Sequence, residues 1–193
     1  MKGRAALFLD RDGVVIEDVA VVAHPASLRL LEGSAEAIAR ANDAGLAVVI
    51  VTNQPIVARG LANEEDVVKV HAALGASLIA RGARIDAFFF CPHHPSATVA
   101  RYRAACECRK PRPGMLLRAA SELGLDLRAS TMVGDRISDI EAGARAGCRT
   151  VLVETGMHTA PPIESLDGEM TATADFVAPN LYEAVTWILG EPR

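Results

Sequence analysis

Cys91-Pro92-His93 is followed at a distance by Cys106-Glu107-Cys108, and Arg109 and Lys110 come directly after it. One residue separates Cys91 from His93, and one residue separates Cys106 from Cys108. Three thiolates and one imidazole form a ligand set that tetrahedral Zn²⁺ prefers, and a zinc ion with four protein ligands holds shape instead of performing catalysis. The pattern therefore predicts a structural zinc site in a loop at about residues 91–108.

Two plainer interpretations of these cysteines stay open, a disulfide bond and buried thiols. A bond between Cys106 and Cys108 would be strained, because side chains so close in sequence project poorly for the required geometry. His94 is an alternative to His93 as the imidazole ligand. Cys148 stands apart from the group, and we expect it to be an inert apolar residue at the start of a strand.

A second set of reactive side chains begins with Asp10 and Asp12, which follow a short apolar run and precede Gly13. One carboxylate can attack phosphorus and form an aspartyl-phosphate. The other can protonate the departing oxygen and later take a proton from water. The glycine permits a ligand to approach the backbone closely. The pair therefore predicts phosphoryl transfer through a covalent intermediate.

Polar residues farther along the chain supply the rest of such a site. Asp135, with Asp139 one helical turn later, offers hard oxygen ligands, which Mg²⁺ prefers together with phosphate and water. Thr52, Asn53 and Lys110 offer a hydroxyl, an amide and a positive charge to the phosphoryl oxygens. The set predicts a magnesium-dependent phosphatase site.

Each of these residues also has a plainer explanation. An acid pair at a strand end is typical of a turn or a helix cap, and Thr52-Asn53 is typical of a turn. Asp139 alone suits a helix cap, and Lys110 alone suits a solvated surface. The functional interpretation rests on order along the chain, because the polar groups follow consecutive predicted strands or directly precede a helix.

Short aliphatic runs alternate along the chain with segments of helical periodicity. The predicted strands are Ala5–Leu9, Leu46–Val51, Ala87–Phe90, Thr131–Val133, Thr150–Val153 and Phe176–Val177. The predicted helices are Glu32–Ala44, Asn63–Gly82, Pro113–Leu123, Ile137–Ala146 and Asn180–Leu189, and residues 156–174 are predicted to form a mobile surface loop. This alternation predicts a three-layer α/β/α, Rossmann-like domain with a central parallel sheet. Ligands of such sheets bind beyond the carboxyl ends of the strands, where the polar groups fall.

The composition limits the classes of function. A chain of 193 residues, half of them hydrophobic, fits a single domain over residues 1–193 with a substantial core. A net charge of −4 disfavours general binding to nucleic acid, and no apolar stretch reaches the length of a membrane span. Cysteines that resemble metal ligands, with no leader segment, indicate a reducing cytoplasm. We expect a monomer with no nucleic-acid or membrane partner.

Four segments together resemble the motifs of the haloacid dehalogenase (HAD) superfamily of aspartate-dependent phosphatases. They are Phe8-Leu9-Asp10-Arg11-Asp12-Gly13, Val51-Thr52-Asn53-Gln54, Cys108-Arg109-Lys110-Pro111, and Val133-Gly134-Asp135 with Asp139. The cysteine loop, with Cys91-Pro-His-His-Pro95, more specifically resembles the family of heptose-bisphosphate 7-phosphatases and histidinol phosphatases. The resemblance covers nearly the whole chain.

This resemblance implies roles for individual residues. Asp10 is implied as the nucleophile and Asp12 as the general acid and base, with Mg²⁺ held by Asp10, the backbone carbonyl of Asp12, and Asp135. The implied phosphate and substrate contacts are Thr52, Asn53, Lys110 and Arg109, and the implied zinc ligands are Cys91, His93, Cys106 and Cys108. Such proteins lack a large cap domain, and the zinc loop shapes the substrate entrance. The implied substrate is D-glycero-D-manno-heptose 1,7-bisphosphate, a small sugar phosphate.

The chain departs from the family pattern near the expected substrate entrance. Pro55-Ile56 stands where Ser-Gly is usual, and a proline has no N–H to offer a second phosphate. Arg136 stands where a lysine is frequent, which keeps the charge but alters its geometry. The alternatives are therefore a histidinol-phosphate or other sugar-phosphate phosphatase and, in another class, a non-catalytic zinc-stabilised binding module. A phosphatase for nucleic-acid ends is disfavoured by the lack of net positive charge.

Overall fold

The structure, a computed structural model, describes residues 3–19, 22–156 and 172–190. Most of the predicted loop at 156–174 lies outside these residues.

Within the described residues, a six-stranded parallel sheet forms the centre of the fold. Its strands are β1 (Ala6–Leu9), β2 (Ala47–Asn53), β3 (Ala87–Cys91), β4 (Thr131–Gly134), β5 (Arg149–Val153) and β6 (Phe176–Ala178). They lie in the order β3-β2-β1-β4-β5-β6. The chain passes from β1 through β2 to the edge strand β3, crosses back to β4 on the other side of β1, and continues through β5 to β6. The carboxyl ends of β1 and β4 therefore flank the topological switch point, where open α/β sheets bind ligands.

Helices cover both faces of this sheet. They are α1 (Ser34–Asp43), α2 (Pro55–Ala58), α3 (Glu64–Ile79), α4 (Gly114–Leu123), α5 (Ile137–Ala146) and α6 (Leu181–Leu189). Side chains alternate along β1, because successive strand residues point to opposite faces. Leu7 and Leu9 pack with α1, α3 and α6, whereas Ala6 and Phe8 pack with α4 and α5. The predicted three-layer α/β/α architecture is confirmed.

The ends of several elements differ from prediction by one to three residues. The largest consequence is in β2, which continues past Val51 through Asn53 because Thr52 and Asn53 pair with the last two residues of β3. Both polar side chains therefore project from a paired strand and not from a turn. The four-residue helix α2 was not predicted, since so short a segment carries no hydrophobic periodicity.

Among the described residues, no helix is both long and apolar enough to cross a bilayer.

Candidate functional site

Three buried aspartates meet beyond the carboxyl ends of β1 and β4. Asp10 follows β1, Asp135 follows β4, and Asp139 lies in the first turn of α5. One carboxylate oxygen from each lies within 4.8 Å of the others, and all three side chains are buried. Carboxylates brought together in a buried site repel one another, so this group needs a cation.

The backbone passes close over Asp135 on two sides. Gly13 has φ +77°, and a Cβ there would lie 2.6 Å from Oδ2 of Asp135. A Cβ on Gly156 would also clash with the Asp135 carboxylate. Glycine is therefore required at Gly13 both for its backbone conformation and for space.

Lys110 supplies a cation to this group. Its Nζ lies 3.1 Å from Oδ1 of Asp10 and 2.6 Å from Oδ1 of Asp139, and it donates to the Val51 carbonyl at 2.7 Å. Burial opposes its charge, but Asp10 and Asp139 outweigh burial, so the pKa of Lys110 is raised. The interpretation of Lys110 as a solvated residue is wrong, since only 3% of it is exposed.

Among the described residues, Asp139 contacts both the start of its own helix and Lys110. Its Oδ2 accepts the Arg136 backbone N–H at 3.1 Å, as the helix-cap interpretation predicts. Its other oxygen faces Lys110. Burial raises the pKa of Asp139 to about 6, although Lys110 acts in the opposite direction. Asp139 therefore holds the lysine as well as the start of α5.

We expect Lys110→Met to destabilise the fold by about 3–5 kcal/mol, because it leaves the buried carboxylates of Asp10 and Asp139 without their cation. Urea unfolding in magnesium-free buffer measures the change. Lys69→Met is the matched control, since Lys69 is exposed and pairs with Asp66 on the surface, at 3.5 Å. Equal stability of the two variants would show that the Lys110 contacts contribute nothing to the fold.

Asp12 lies beside the aspartate group and is held by two neighbours. Nη2 of Arg11 lies 3.0 Å from each carboxylate oxygen of Asp12, and Nε2 of Gln54 donates to Oδ2 at 2.8 Å. Burial raises the pKa of Asp12, and Asp10 adds to this, whereas Arg11 and Gln54 oppose it. A raised pKa suits a carboxyl group that must carry a proton to a leaving group.

Thr52 and Asn53 join this site to neighbouring segments. The Thr52 hydroxyl accepts a hydrogen bond from Nε2 of Gln54 at 2.9 Å. Asn53 bonds the backbone of Lys110 twice: its Nδ2 donates to the Lys110 carbonyl at 3.1 Å, and its Oδ1 accepts the Lys110 N–H at 3.1 Å. Asn53 thus fixes the lysine main chain against the end of β2. Its contact with phosphate stays a prediction.

The predicted metal loop brings its four donors together. The Cys/His group consists of Cys91, His93, Cys106 and Cys108. Its sulfur atoms are 3.2–3.5 Å apart, and Nδ1 of His93 lies 3.4 Å from Cys108 Sγ and 3.7 Å from Cys91 Sγ. These separations exceed a disulfide bond of about 2.05 Å, and all four cysteines of the chain are free. They suit four ligands around one metal ion.

His93, and not His94, contributes the imidazole. Nδ1 of His94 accepts the backbone N–H of Ser96 at 3.1 Å, outside the Cys/His group. Cys148 is buried among apolar side chains directly before β5, where it was predicted. The structure therefore places His93 and not His94 with the three cysteines, and none of these cysteines forms a disulfide bond.

Arg109 connects the Cys/His group to the aspartate site. Its Nη1 donates to the His93 carbonyl at 3.1 Å, and Lys110 follows it directly. The Gly114 N–H donates to the Glu107 carbonyl at 3.0 Å and closes the loop on itself. A change in the conformation of this loop would therefore also move Lys110, which is part of it. Contact between Arg109 and a substrate stays a prediction.

Sequence reasoning assigned no role to Arg11 or to His71. Arg11 is 1% exposed and, besides Asp12, bonds Gln54 Oε1 at 2.9 Å and approaches His71 Nε2 to 3.3 Å. One signal was available: His71 stands on the otherwise apolar stripe of α3, with Val67, Val70 and Leu74. A histidine there indicates a buried polar partner.

Several known proteins are similar to this chain. Residues 107–184 match the HAD-hydrolase-like family. The D-glycero-beta-D-manno-heptose-1,7-bisphosphate 7-phosphatase of Yersinia pestis is 42% identical over 177 residues, which cover 91% of this chain and 90% of that protein. The D-glycero-D-manno-heptose-1,7-bisphosphate 7-phosphatase of Chlorobaculum tepidum is 38% identical and covers 100% of this chain, with 98% of that protein matched. The crystal structure of D,D-heptose 1,7-bisphosphate phosphatase from B. bronchiseptica, complexed with magnesium and phosphate, has a TM-score of 0.81 at 36% identity and covers 97% of this chain and 99% of its own.

Proposed function

The chain belongs to the HAD superfamily of phosphatases, in the group of the heptose-bisphosphate phosphatases, and on that basis we propose that it removes the 7-phosphate of D-glycero-D-manno-heptose 1,7-bisphosphate. One observation supports the proposal most directly. The buried side chains of Asp10, Asp135, Asp139 and Lys110 lie close together at the switch point, and Asp12 lies beside them. The relatives from Yersinia pestis and Chlorobaculum tepidum are named for this reaction on this sugar.

The proposed reaction has two steps. A carboxylate oxygen of Asp10 attacks phosphorus, the bond from phosphorus to the sugar oxygen breaks, and the Asp12 carboxyl group protonates that departing oxygen. Asp12 then takes a proton from water, and the water oxygen attacks the phosphorus of the aspartyl-phosphate. The bond from phosphorus to the Asp10 oxygen breaks, which releases inorganic phosphate and restores the Asp10 carboxylate. Lys110, 3.1 Å from Asp10, stabilises the charge that develops on the phosphoryl oxygens.

The aspartate group fits a magnesium ion, because its buried carboxylate oxygens are hard ligands within 4.8 Å of one another. We infer that Asp10, Asp135 and the backbone carbonyl of Asp12 would hold it, while Asp139 keeps Lys110 in place. When bound, magnesium would neutralise the repulsion between the nucleophile and the phosphate.

The Cys/His group fits a zinc ion, since three sulfur donors and one imidazole nitrogen match its tetrahedral preference. All four positions are filled by protein atoms, so the zinc would hold shape. We propose that it orders the loop that carries Arg109 and Lys110, and that the loop shapes the substrate entrance.

Cys108→Ser tests this zinc site. We expect protein purified without added zinc to contain about one zinc per chain, and the variant to contain much less, to melt at a lower temperature and to lose turnover. Elemental analysis and thermal unfolding measure these properties. Cys148→Ala is the matched control, because Cys148 lies outside the group and should leave the metal content unchanged. Well-folded wild-type protein with no stoichiometric metal would rule the site out.

The substrate is tested by ranking kcat/KM over a panel. The panel contains both anomers of the heptose bisphosphate, histidinol phosphate and common sugar monophosphates, each with Mg²⁺. We expect a heptose bisphosphate to rank first by at least ~10-fold, the factor that corresponds to the net free energy of about one hydrogen bond. A higher rank for histidinol phosphate or a monophosphate would overturn the substrate assignment but leave the chemistry intact. An absence of phosphate release from every member would instead favour the non-catalytic binding module.

A further inference from the structure

We propose that His71 is a positioning residue for proton transfer: it accepts a hydrogen bond from Arg11 and so fixes the guanidinium that holds Asp12. The proposal rests on the proposed function only in that Asp12 transfers the proton. His71 itself does not contact Asp12 in the structure and acts through Arg11.

The hydrogen bond between Arg11 and His71 has one chemical direction. Nη1 of Arg11 lies 3.3 Å from Nε2 of His71. A guanidinium has only donors, so Nε2 must be the unprotonated nitrogen and the imidazole must be neutral. Burial, together with the charge of Arg11, also lowers the pKa of His71 to about 3. The ring therefore stays an acceptor over the physiological range of pH.

The imidazole ring is held from two sides of the fold. His71 lies on α3, and its ring stacks on Phe88 of β3 with centroids 4.8 Å apart and planes 17° apart. Phe90 meets it edge-on at 5.8 Å. The acceptor thus has a fixed place, set by a helix and by the edge of the sheet.

Arg11 links His71 to Asp12 through hydrogen bonds of its guanidinium group. The guanidinium is almost completely buried, with Nη1 toward His71 and Nε and Nη2 toward Asp12, at 3.3 and 3.0 Å from Oδ1. Gln54 accepts from Nη2 and donates to the same carboxylate. With His71 removed, Nη1 would lose its buried acceptor, and the guanidinium would rotate to find another. Asp12 would move with it.

Such a displacement should affect proton donation more than phosphoryl transfer itself. A leaving alkoxide needs the Asp12 proton, whereas p-nitrophenolate leaves without one. Misplacement of a reacting group by about 1 Å can cost on the order of 10²-fold in rate. A general loosening of the fold would slow both kinds of substrate alike.

The test compares kcat/KM of His71→Leu on the preferred alkyl phosphate and on p-nitrophenyl phosphate. We expect a loss of about 10- to 10²-fold for the alkyl phosphate, less than about twofold for the aryl phosphate, and recovery in His71→Gln, whose amide oxygen can accept from Arg11. Val70→Ala is the control for looser packing of the same helix. It should lower kcat/KM equally for both substrates or leave both values unchanged.

Two outcomes would overturn the proposal, an equal loss on both substrates in His71→Leu or no loss on either. A crystal structure of His71→Leu gives a second readout that does not depend on the substrate: an Asp12 carboxylate that keeps its place would also overturn it. If the enzyme rejects the heptose bisphosphate but hydrolyses another alkyl phosphate, His71→Leu is compared with the wild type on that alkyl phosphate and on p-nitrophenyl phosphate. A wrong substrate assignment is therefore distinguishable from a wrong role for His71.

Discussion

Asp10→Asn is expected to abolish turnover, with a loss on the order of 10⁶-fold, the size typical of removing a covalent nucleophile. The amide nitrogen and oxygen of asparagine cannot form the aspartyl-phosphate, and an amide binds Mg²⁺ less well than a carboxylate. The shape of the side chain is kept, and Oδ1 can still accept the Arg11 N–H, a contact of 2.7 Å in this structure. Phosphate release from the preferred substrate measures the effect.

The control for this variant separates chemistry from folding. Asp43→Asn makes the same chemical change at an exposed position at the end of α1 and should retain wild-type turnover. The melting temperature of Asp10→Asn should show that it is folded, since Lys110 keeps its contact with Asp139. Substantial turnover by a pure, folded Asp10→Asn protein would eliminate Asp10 as the nucleophile.

Asp12→Asn is expected to lower kcat/KM for an alkyl phosphate by about 10²–10⁴-fold, the usual contribution of a general acid or base. An asparagine cannot donate the proton that the departing sugar oxygen needs. Its oxygen can still accept from Arg11, so the neighbouring network keeps a partner. Steady-state kinetics on the preferred sugar phosphate measure this loss.

A change of leaving group gives the sharper comparison for Asp12. With p-nitrophenyl phosphate, kcat/KM of Asp12→Asn should fall much less, because p-nitrophenolate departs without protonation. The same pattern at smaller amplitude is expected for His71→Leu, which disturbs Asp12 only through Arg11. A loss that is the same for both leaving groups would assign Asp12 a structural role.

The sheet and the composition of the site could be predicted because both depend on local patterns. Continuous aliphatic runs mark buried parallel strands, and the polar residues after them fall at one edge of the sheet. Asp10 and Asp135 each follow a predicted strand, so the alternation of strands and helices predicted that both lie at this edge. The pairing of β1 with β4, which makes them neighbours, came only from the structure. Short spacing also indicated the Cys/His group, whose donors come from a strand end and one loop.

The contacts that hold the reactive groups could not be predicted, because they join residues far apart in sequence. His71 lies 60 positions from Arg11, and nothing local to either residue indicates that they meet. The burial of Lys110 depends on the Val51 carbonyl and on Asp139, which come from two other segments. A charged side chain in a loop is usually solvated, and only tertiary structure reverses that expectation.

The proposed mechanism requires a carboxylate oxygen of Asp10 to become bonded to phosphorus in each catalytic cycle. A crystal structure of the magnesium-loaded protein with beryllium trifluoride, a mimic of a bound phosphoryl group, tests it most directly. We predict beryllium bonded to a carboxylate oxygen of Asp10, with fluorine atoms facing Lys110 and the end of β2. Beryllium trifluoride bonded to a different residue, with Asp10 accessible and unmodified, would contradict it.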